Sequence, residues 1–418
     1  MARKMKDSGI EWIGEIPEGW ELIKAKYLFS QRNEKGNSTL VLLSPTQKYG
    51  VIPQSQLEGV VQVKENTDLR AFKTIHIGDF VISLRSFQGG FEFSNYEGVC
   101  SPAYQVLHAT KDLSNDFFRY LFKSDGFISK INSLTVGIRE GKNIQYWDFS
   151  NMLLALPPKE IQIRSAQYLN AKCTEIDTML SKTRSSIEEY KKLKQAVITQ
   201  AVTKGVRGER EMKDSGVEWI GEIPVNWTIQ RFARVAKVKS NLVSPDNYLE
   251  YPQISPENIE KDSGKLLLPC RTVAEVGVIS GNHLFYKGQI LYSKIRPKLN
   301  KVCIAPFDGL CSADMYPIES KNDTRYIMYC ILSNGFLQQV SMITENRVKM
   351  PKINQVELSK VLVAIPETIA EQKEIADYLD AKCAEIDGLI AKKEQLVKEL
   401  EGYKKSLIYE VVTGKREV

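Results

Sequence analysis

The feature that most constrains this chain is an internal duplication. Residues 5–17 read MKDSGIEWIGEIP and residues 212–224 read MKDSGVEWIGEIP, so a single position differs. Further along, residues 168–177 read YLNAKCTEID and residues 378–387 read YLDAKCAEID. Two such matches, in the same order and at nearly the same offset, indicate a tandem repeat of one structural unit.

Each copy begins with a head of mixed secondary structure. Residues 79–85 and 289–296 are rich in β-branched or aromatic side chains and are bounded by glycine or proline, which is typical of strands. Residues 117–122 and 326–332 favour short helices. The heads diverge strongly between the matched blocks, so we predict one α+β fold that occurs twice with two different surfaces.

Each head is followed by a segment with a sustained seven-residue apolar period, which is typical of a coiled-coil seam. Pro158 and Pro366 precede these segments, and Gly205 and Gly414 follow them. The pattern predicts two helices of about 45 residues, or roughly 65 Å each. The predicted seam residues are Leu169, Ile176, Tyr190, Leu193, Val197, Leu379, Ile386, Leu396, Leu400 and Leu407.

Polar residues interrupt this seam at Thr183, Ser186 and Lys393. Such positions either fix the register of two helices or mark a solvated stretch, and the sequence leaves both readings open.

Connectivity favours pairing of the two helices within the chain. A short polar linker joins the first helix to the second head, so the second helix can bury its seam locally only by running back antiparallel. Pairing with another chain is the alternative. The first reading predicts two similar α/β heads on antiparallel coiled-coil helices, related by an internal pseudo-two-fold axis. The predicted divisions are a first head at 1–157, a helix at 158–204, a linker at 205–211, a second head at 212–365 and a helix at 366–418.

Composition excludes several classes of protein. Hydrophobic residues make up 43% and charged residues 26%, the balance of an ordinary globular protein. No apolar run is long enough to span a membrane and the N-terminus does not resemble a secretory signal, so we expect a cytoplasmic protein. With three histidines and no Cys-x-x-Cys spacing, no metal site is predicted. The net charge of +6 permits a polyanionic partner without requiring one.

Sequence patterns of catalytic centres are absent. We find no Gly-x-Gly-x-x-Gly opening a helix, no phosphate-binding loop, no Asn-Pro-Pro-aromatic segment of adenine methyltransferases and no convincing nuclease pattern. We therefore predict a non-catalytic chain that binds no cofactor of its own.

Basic and amide side chains cluster at matched places in the two heads. One pair of clusters follows a predicted strand and the other precedes each long helix. Arginine can grip O6 and N7 of guanine, asparagine or glutamine can pair with adenine, and lysine holds phosphates. The predicted DNA-contacting residues are Arg85, Ser86, Gln88, Arg139, Lys142, Asn143, Gln145, Lys294, Arg296, Lys298, Asn300, Lys301, Asn346, Arg347, Lys349 and Lys352.

This organisation resembles the specificity subunit of Type I restriction-modification enzymes. The resemblance rests on the Gly-Glu-Ile-Pro…Trp blocks at 14–20 and 221–227, on the Leu-Pro-Pro at 156–158, and most strongly on residues 365–379, IPETIAEQKEIADYL. The first copy departs from the family's Glu-Gln pattern, because it has Ile161 before the retained Gln162. The resemblance covers the whole chain.

The resemblance implies a function. Each head would be a target-recognition domain that reads one half of an asymmetric, bipartite double-stranded DNA site. The helices would set the gap between the halves and would carry two modification (methyltransferase) subunits, with restriction subunits joining that core. Those partners, and not this chain, would use S-adenosylmethionine, ATP and Mg²⁺.

Two other classes of protein remain as alternatives. A coiled-coil adaptor would show no salt-sensitive DNA binding, whereas a stand-alone DNA-binding repressor would be fully specific without partners.

Overall fold

The computed structural model describes residues 3–35, 39–57, 69–82, 89–134, 146–347 and 351–418. The chain forms two compact units: unit 1 is Met1–Thr183 with Gln395–Val418, and unit 2 is Arg184–Glu394. Each unit therefore combines one head with parts of both long helices. These units differ from the linear division predicted above, because each long helix is split between them. Each part of a helix belongs to the unit of the head against which it packs.

Unit 1 contains the first head, built from short strands and three short helices. The strands are β1 Met5–Asp7, β2 Glu15–Pro17, β3 Glu21–Lys24, β4 Phe29–Arg32, β5 Leu43–Thr46, β6 Gly50–Pro53, β7 Lys73–Ile75, β8 Phe80–Ile82, β9 Glu92–Phe93, β10 Gly98–Cys100, β11 Gln105–Ala109 and β12 Leu153–Leu156. The helices are α1 Asn115–Leu121, α2 Asp125–Ser133 and α3 Tyr146–Ser150, followed by the long helix α4, Lys159–Lys204.

The central sheet of unit 1 is antiparallel with the strand order β4-β11-β8-β9. Phenylalanines from the sheet and from α1 and α2 fill the core beneath it; the rings of Phe29 and Phe118, for example, lie 5.0 Å apart. Trp20 is buried in a small neighbouring cluster.

Unit 2 contains the second head, which has the same strand scheme. The strands are β13 Met212–Asp214, β14 Glu222–Pro224, β15 Thr228–Arg231, β16 Ala236–Val238, β17 Leu242–Val243, β18 Gln253–Ile254, β19 Asn282–Phe285, β20 Ile290–Ser293, β21 Val302–Ile304, β22 Gly309–Cys311, β23 Met315–Ser320 and β24 Leu362–Ile365. The helices are α5 Phe232–Val235, α6 Val273–Val276, α7 Thr324–Leu332, α8 Asn334–Thr344 and α9 Gln355–Lys360, followed by the long helix α10, Ile369–Val412.

The central sheet of unit 2 has the order β16-β23-β20-β21, which is the order of the unit 1 sheet strand for strand. A second sheet, β17-β19-β22-β18, adds a parallel pair between β18 and β22. The α+β class predicted for the heads is confirmed, as are the strands expected at 79–85 and 289–296 and the helices expected at 117–122 and 326–332, within the described residues.

Both long helices end at a glycine in the left-handed region, at Gly205 (φ 76°) and Gly414 (φ 75°). A side chain would be strained in that conformation. A Cβ at Gly414 would also lie 2.9 Å from the Trp20 ring, and one at Gly205 would lie 3.3 Å from the ring of Trp227. Each glycine thus ends a helix and, because it has no side chain, leaves room for the buried tryptophan beside it.

The helices pair antiparallel inside each unit. In unit 1 the beginning of α4 shares a core with the end of α10, including Leu169 and Leu407. In unit 2 the end of α4 shares a core with the beginning of α10, including Ile198 and Leu379. Pairing within the chain is therefore realised in the structure.

The predicted seam is wrong in one of its two rows. The main row of the predicted seam recurs every seven residues, at Leu169, Ile176, Tyr190 and Val197 in α4 and at Leu379, Ile386, Leu400 and Leu407 in α10. The predicted second row lies three residues after the main row and includes Leu193 and Leu396, but these are 48% and 43% exposed. The buried row lies four residues after the main row, at Cys173, Leu180 and Ile187 in α4. At the equivalent positions of α10, Cys383 is buried, whereas Ile390 and Val397 are half-buried. In a heptad, consecutive buried positions are separated alternately by three and by four residues. Each main-row position is therefore the one whose next buried position lies four residues later in the chain.

Main-row residues are buried or half-buried. Leu169, Ile176, Leu379, Ile386 and Leu407 are buried, whereas Tyr190, Val197 and Leu400 are half-buried. No helix in the described part of the chain is both long enough and apolar enough to cross a membrane.

A Lys–Asp pair joins the helices in each unit, at repeat-equivalent positions. In unit 1, Lys404 Nζ lies 2.6 Å from Asp177 Oδ1; in unit 2, Lys194 Nζ lies 2.9 Å from both carboxylate oxygens of Asp387. The environments differ, because the side chain of Lys194 is only 7% exposed whereas that of Asp177 is 56% exposed. Burial raises the pKa of Asp387, whereas the hydrogen bonds from Lys265 and Lys194 lower it. The net effect is a lowered pKa.

Candidate nucleic-acid interface

The predicted contacts of the first head lie outside the described residues. These contacts are Arg85, Ser86, Gln88, Arg139, Lys142, Asn143 and Gln145, and Lys349 of the second head joins them. They stay predictions. The remaining candidates all belong to the second head.

The two predicted clusters of the second head meet in space. The chain leaving β20 runs antiparallel to residues 351–353, where Ile295 and Lys352 form a bridge. The Arg296 N–H donates to the Pro351 carbonyl at 2.8 Å, and the Ile353 N–H donates to the Lys294 carbonyl at 2.9 Å. Segments about fifty residues apart in the chain therefore present one continuous loop surface.

A tight turn after this bridge carries the central residues of the interface. Pro297–Leu299 form a 3-10 turn, flanked on each side by a residue in the left-handed region, Arg296 (φ 45°) and Asn300 (φ 40°). Residues other than glycine are rare in that region and persist only when their surroundings hold them there. Pro297 is buried, and the Asn300 Nδ2 donates to the Leu332 carbonyl at 3.3 Å.

This geometry changes the role of Asn300. The residue is 1% exposed and its amide is directed into the head, so its side chain cannot reach a base edge. The prediction that Asn300 contacts DNA is wrong. Its physical role is to tie the turn to the end of α7.

Three predicted cations are engaged by groups of the head. The Lys301 Nζ donates to the Pro256 carbonyl at 2.6 Å, and the Lys352 Nζ lies 3.1 Å from Asp314. Arg347 forms a two-point ion pair with Glu357, and this hydrogen bond is the main cause that lowers the pKa of Glu357. These cations brace the loops, so contact with DNA would compete with existing partners.

Four candidates remain available at the surface. Arg296, Lys298 and Asn346 are exposed, and within the described residues their side chains have no hydrogen-bond or ionic partner. Lys294 is half-buried and its Nζ lies 5.3 Å from the centre of the Tyr316 ring. These four side chains are an arginine, an amide and two lysines, the types that read bases and hold phosphates.

A second set of residues connects each head to its helix, and the sequence analysis named its glutamines only as part of the family pattern, with no structural role. Gln162 and Gln372 are both buried, and each accepts a backbone N–H at the N-cap of a head helix: Ser114 at 2.9 Å and Asp323 at 3.0 Å. The glutamine is retained in both copies because it fixes this helix start. Its presence in both repeats was the signal that could have found it.

A tyrosine adds a further tether in each unit. The Tyr120 hydroxyl donates to Asn170 at 2.8 Å in unit 1, and the Tyr329 hydroxyl donates to Asp380 at 2.7 Å in unit 2. Burial raises the pKa of Tyr120 to about 12, and burial followed by the Asp380 hydrogen bond raises that of Tyr329. Both hydroxyls therefore stay protonated donors at physiological pH.

Comparisons with known proteins identify a matching family model and several relatives of this chain. The family model for the type I restriction modification DNA specificity domain matches residues 224–399. The specificity subunit of the type I restriction enzyme EcoDI of Escherichia coli is 34% identical over 321 residues, which covers 72% of this chain and 70% of that protein. A putative specificity subunit, MjaX of Methanocaldococcus jannaschii, is 25% identical over 435 residues, covering 96% of this chain and 95% of the relative.

Solved structures agree at the level of the fold. One chain from a structural study of complex assembly in a type I restriction-modification system has a TM-score of 0.70 at 14% identity, covering 95% of this chain and 98% of that chain. The HsdS subunit from Thermoanaerobacter tengcongensis has a TM-score of 0.52 at 15% identity, covering 96% and 98%.

Two α+β heads, each packed on paired long helices, together with the loop surface described for the second head, define a two-headed DNA-recognition protein. The chain belongs to the family of type I restriction-modification DNA specificity subunits. The resemblance read from the sequence is confirmed.

Proposed function

We propose that this chain binds an asymmetric bipartite duplex site, with one half read by each head, and that it contributes no catalytic residue. The observation that carries the proposal is the contrast inside the repeat. The central sheets and the helix tethers recur in both units, whereas the loop sequences differ. A shared scaffold with two different reading surfaces fits two different half-sites.

The helices are proposed to carry two modification subunits, with restriction subunits joining that core. Exposed apolar side chains support this part of the proposal. In unit 1, Met179 is 44% and Tyr403 is 47% exposed; in unit 2, Leu193 is 48% exposed. Apolar side chains exposed on a helix at heptad spacing suit helices of another subunit. S-adenosylmethionine, ATP and Mg²⁺ would be used by those partners.

Methylation mapping tests the proposal. Genomic DNA from cells that express the chain together with its modification subunits should carry methyl groups within one bipartite motif whose two halves differ. Replacing residues 18–155 by the first head of another family member should alter one half and leave the other half unchanged. Methylation that is independent of this chain, or a head exchange that alters both halves, would contradict the proposal.

Binding measurements with the isolated chain separate the alternative classes. Full sequence specificity without any partner would favour a repressor. Binding to duplex DNA that is absent at every salt concentration, with or without partners, would favour an adaptor.

A further inference from the structure

Among the predicted contacts that the structure describes, Arg296 alone combines a backbone held by hydrogen bonds with a guanidinium that has no partner in the described residues. Its N–H is bonded to Pro351 and its carbonyl accepts the Leu299 N–H at 2.8 Å, so the backbone is held on both sides. The following Pro297 is buried and restricts the turn further. The Cα–Cβ bond of Arg296 is thus fixed in position before any ligand binds.

The left-handed backbone at Arg296 is retained although the residue is not glycine. Such a conformation is strained for a residue with a Cβ and is typical of positions where the side chain has a function. Asn300, at the other end of the turn, has an internal use, because its amide bonds to Leu332. Arg296 has no such internal use within the described residues.

The cations nearby contrast with Arg296 in their pairing. Lys352 is paired with Asp314 and Lys301 with a carbonyl, while Arg347 is paired with Glu357. Arg296 and Lys298 have no partner within the described ranges, so a ligand that approaches this surface meets both as donors. Only Arg296 carries the planar fork of donors that matches two acceptors at once.

We propose that Arg296 reads a guanine, through its O6 and N7 atoms in the major groove, within the half-site bound by the second head. This inference rests on the proposed function and names one base that its site recognises. Lys298 lies two residues further along the same turn with a single compact charge, so it contacts the phosphate backbone beside that base pair.

A selection from a randomised duplex pool tests the inference with the full-length chain, alone and with its modification subunit. The wild-type motif should contain a G·C pair in one half-site. Arg296→Gln should lower the preference for that pair by roughly 10- to 100-fold and leave all other positions unchanged. Arg296→Gly removes the side chain but favours the left-handed backbone, so it should show the same loss with the turn intact.

Lys298→Gln is the matched control. It should weaken binding to all sequences equally and reduce the slope of log affinity against log salt by about 1, without altering the motif. If the Arg296 variants behave like Lys298→Gln, or if the affected pair is A·T, the inference is overturned while the proposed function stands. A wild-type chain that enriches no bipartite motif under either condition would overturn both.

Discussion

At the scale of single residues, the two copies are compared most directly at their buried tryptophans. In unit 2 the Trp227 Nε1 donates to Glu371 at 3.2 Å, and Arg210 donates to the same carboxylate oxygen at 2.7 Å. In unit 1 the position of Glu371 is occupied by Ile161, and the buried Nε1 of Trp20 has no partner within the described residues. The departure of the first copy from the family pattern therefore removes a hydrogen bond.

Substitution of Glu371 by isoleucine should reproduce the unit 1 arrangement in unit 2. Trp227 Nε1 and Arg210 would both lose their acceptor in a buried setting, so we expect the stability of unit 2 to fall by about 1–3 kcal/mol. Thermal unfolding would measure this as a lower midpoint. Ile161→Val, at the equivalent half-buried position of unit 1, is the control and should cost about 0.5 kcal/mol. An unchanged midpoint for the Glu371 variant would show that this network does not stabilise the fold.

At the scale of elements, two Lys–Asp ion pairs that differ in burial join the long helices. Asp387→Asn would leave the buried ammonium of Lys194 without its counter-charge, at a cost of about 3 kcal/mol. Asp177→Asn acts on an exposed pair and should cost about 1 kcal/mol or less. Urea unfolding would give the free energy of unfolding of both variants. Equal losses of stability would contradict the role of burial in the Lys194–Asp387 pair.

The same pair predicts a pH dependence. The folded-state pKa of Asp387 is lowered, so its stabilising contribution is present above the ordinary aspartate pKa of about 4 and is lost as the pH falls through the folded-state value. The difference in stability between the wild type and Asp387→Asn should therefore be full at neutral pH and shrink below about pH 4. A difference that stays constant down to pH 3 would indicate that the aspartate charge does not matter.

At the scale of the whole molecule, the proposed spacing role of the helices predicts the gap in the DNA site. Insertion of one heptad at equivalent places in both α4 and α10 preserves the seam and adds about 10 Å of helix. That length corresponds to about three base pairs. Methylation mapping should return unchanged half-sites separated by a longer gap.

A heptad inserted into one helix only is the control, because it breaks the pairing and should abolish recognition. Changed half-sequences in the double insertion would rule out a spacing role for the helices.

The sequence alone determined the repeat, the α+β class of the heads, the ends of the long helices and the family. These properties are encoded locally, in matched blocks, in a seven-residue period and in prolines and glycines at helix ends. They can be read without knowing which residues meet in space.

The tertiary structure decided the second seam row and the availability of each cation. Two candidate rows flank the main row, and only packing shows that Cys173 and Leu180 are buried while Leu193 is not. Lys301 and Lys352 look as free as Arg296 in the sequence, yet their partners Pro256 and Asp314 come from distant segments. Pairing over such distances leaves no local pattern, so only the fold separates the bracing cations of the second head from the one arginine proposed to read a base.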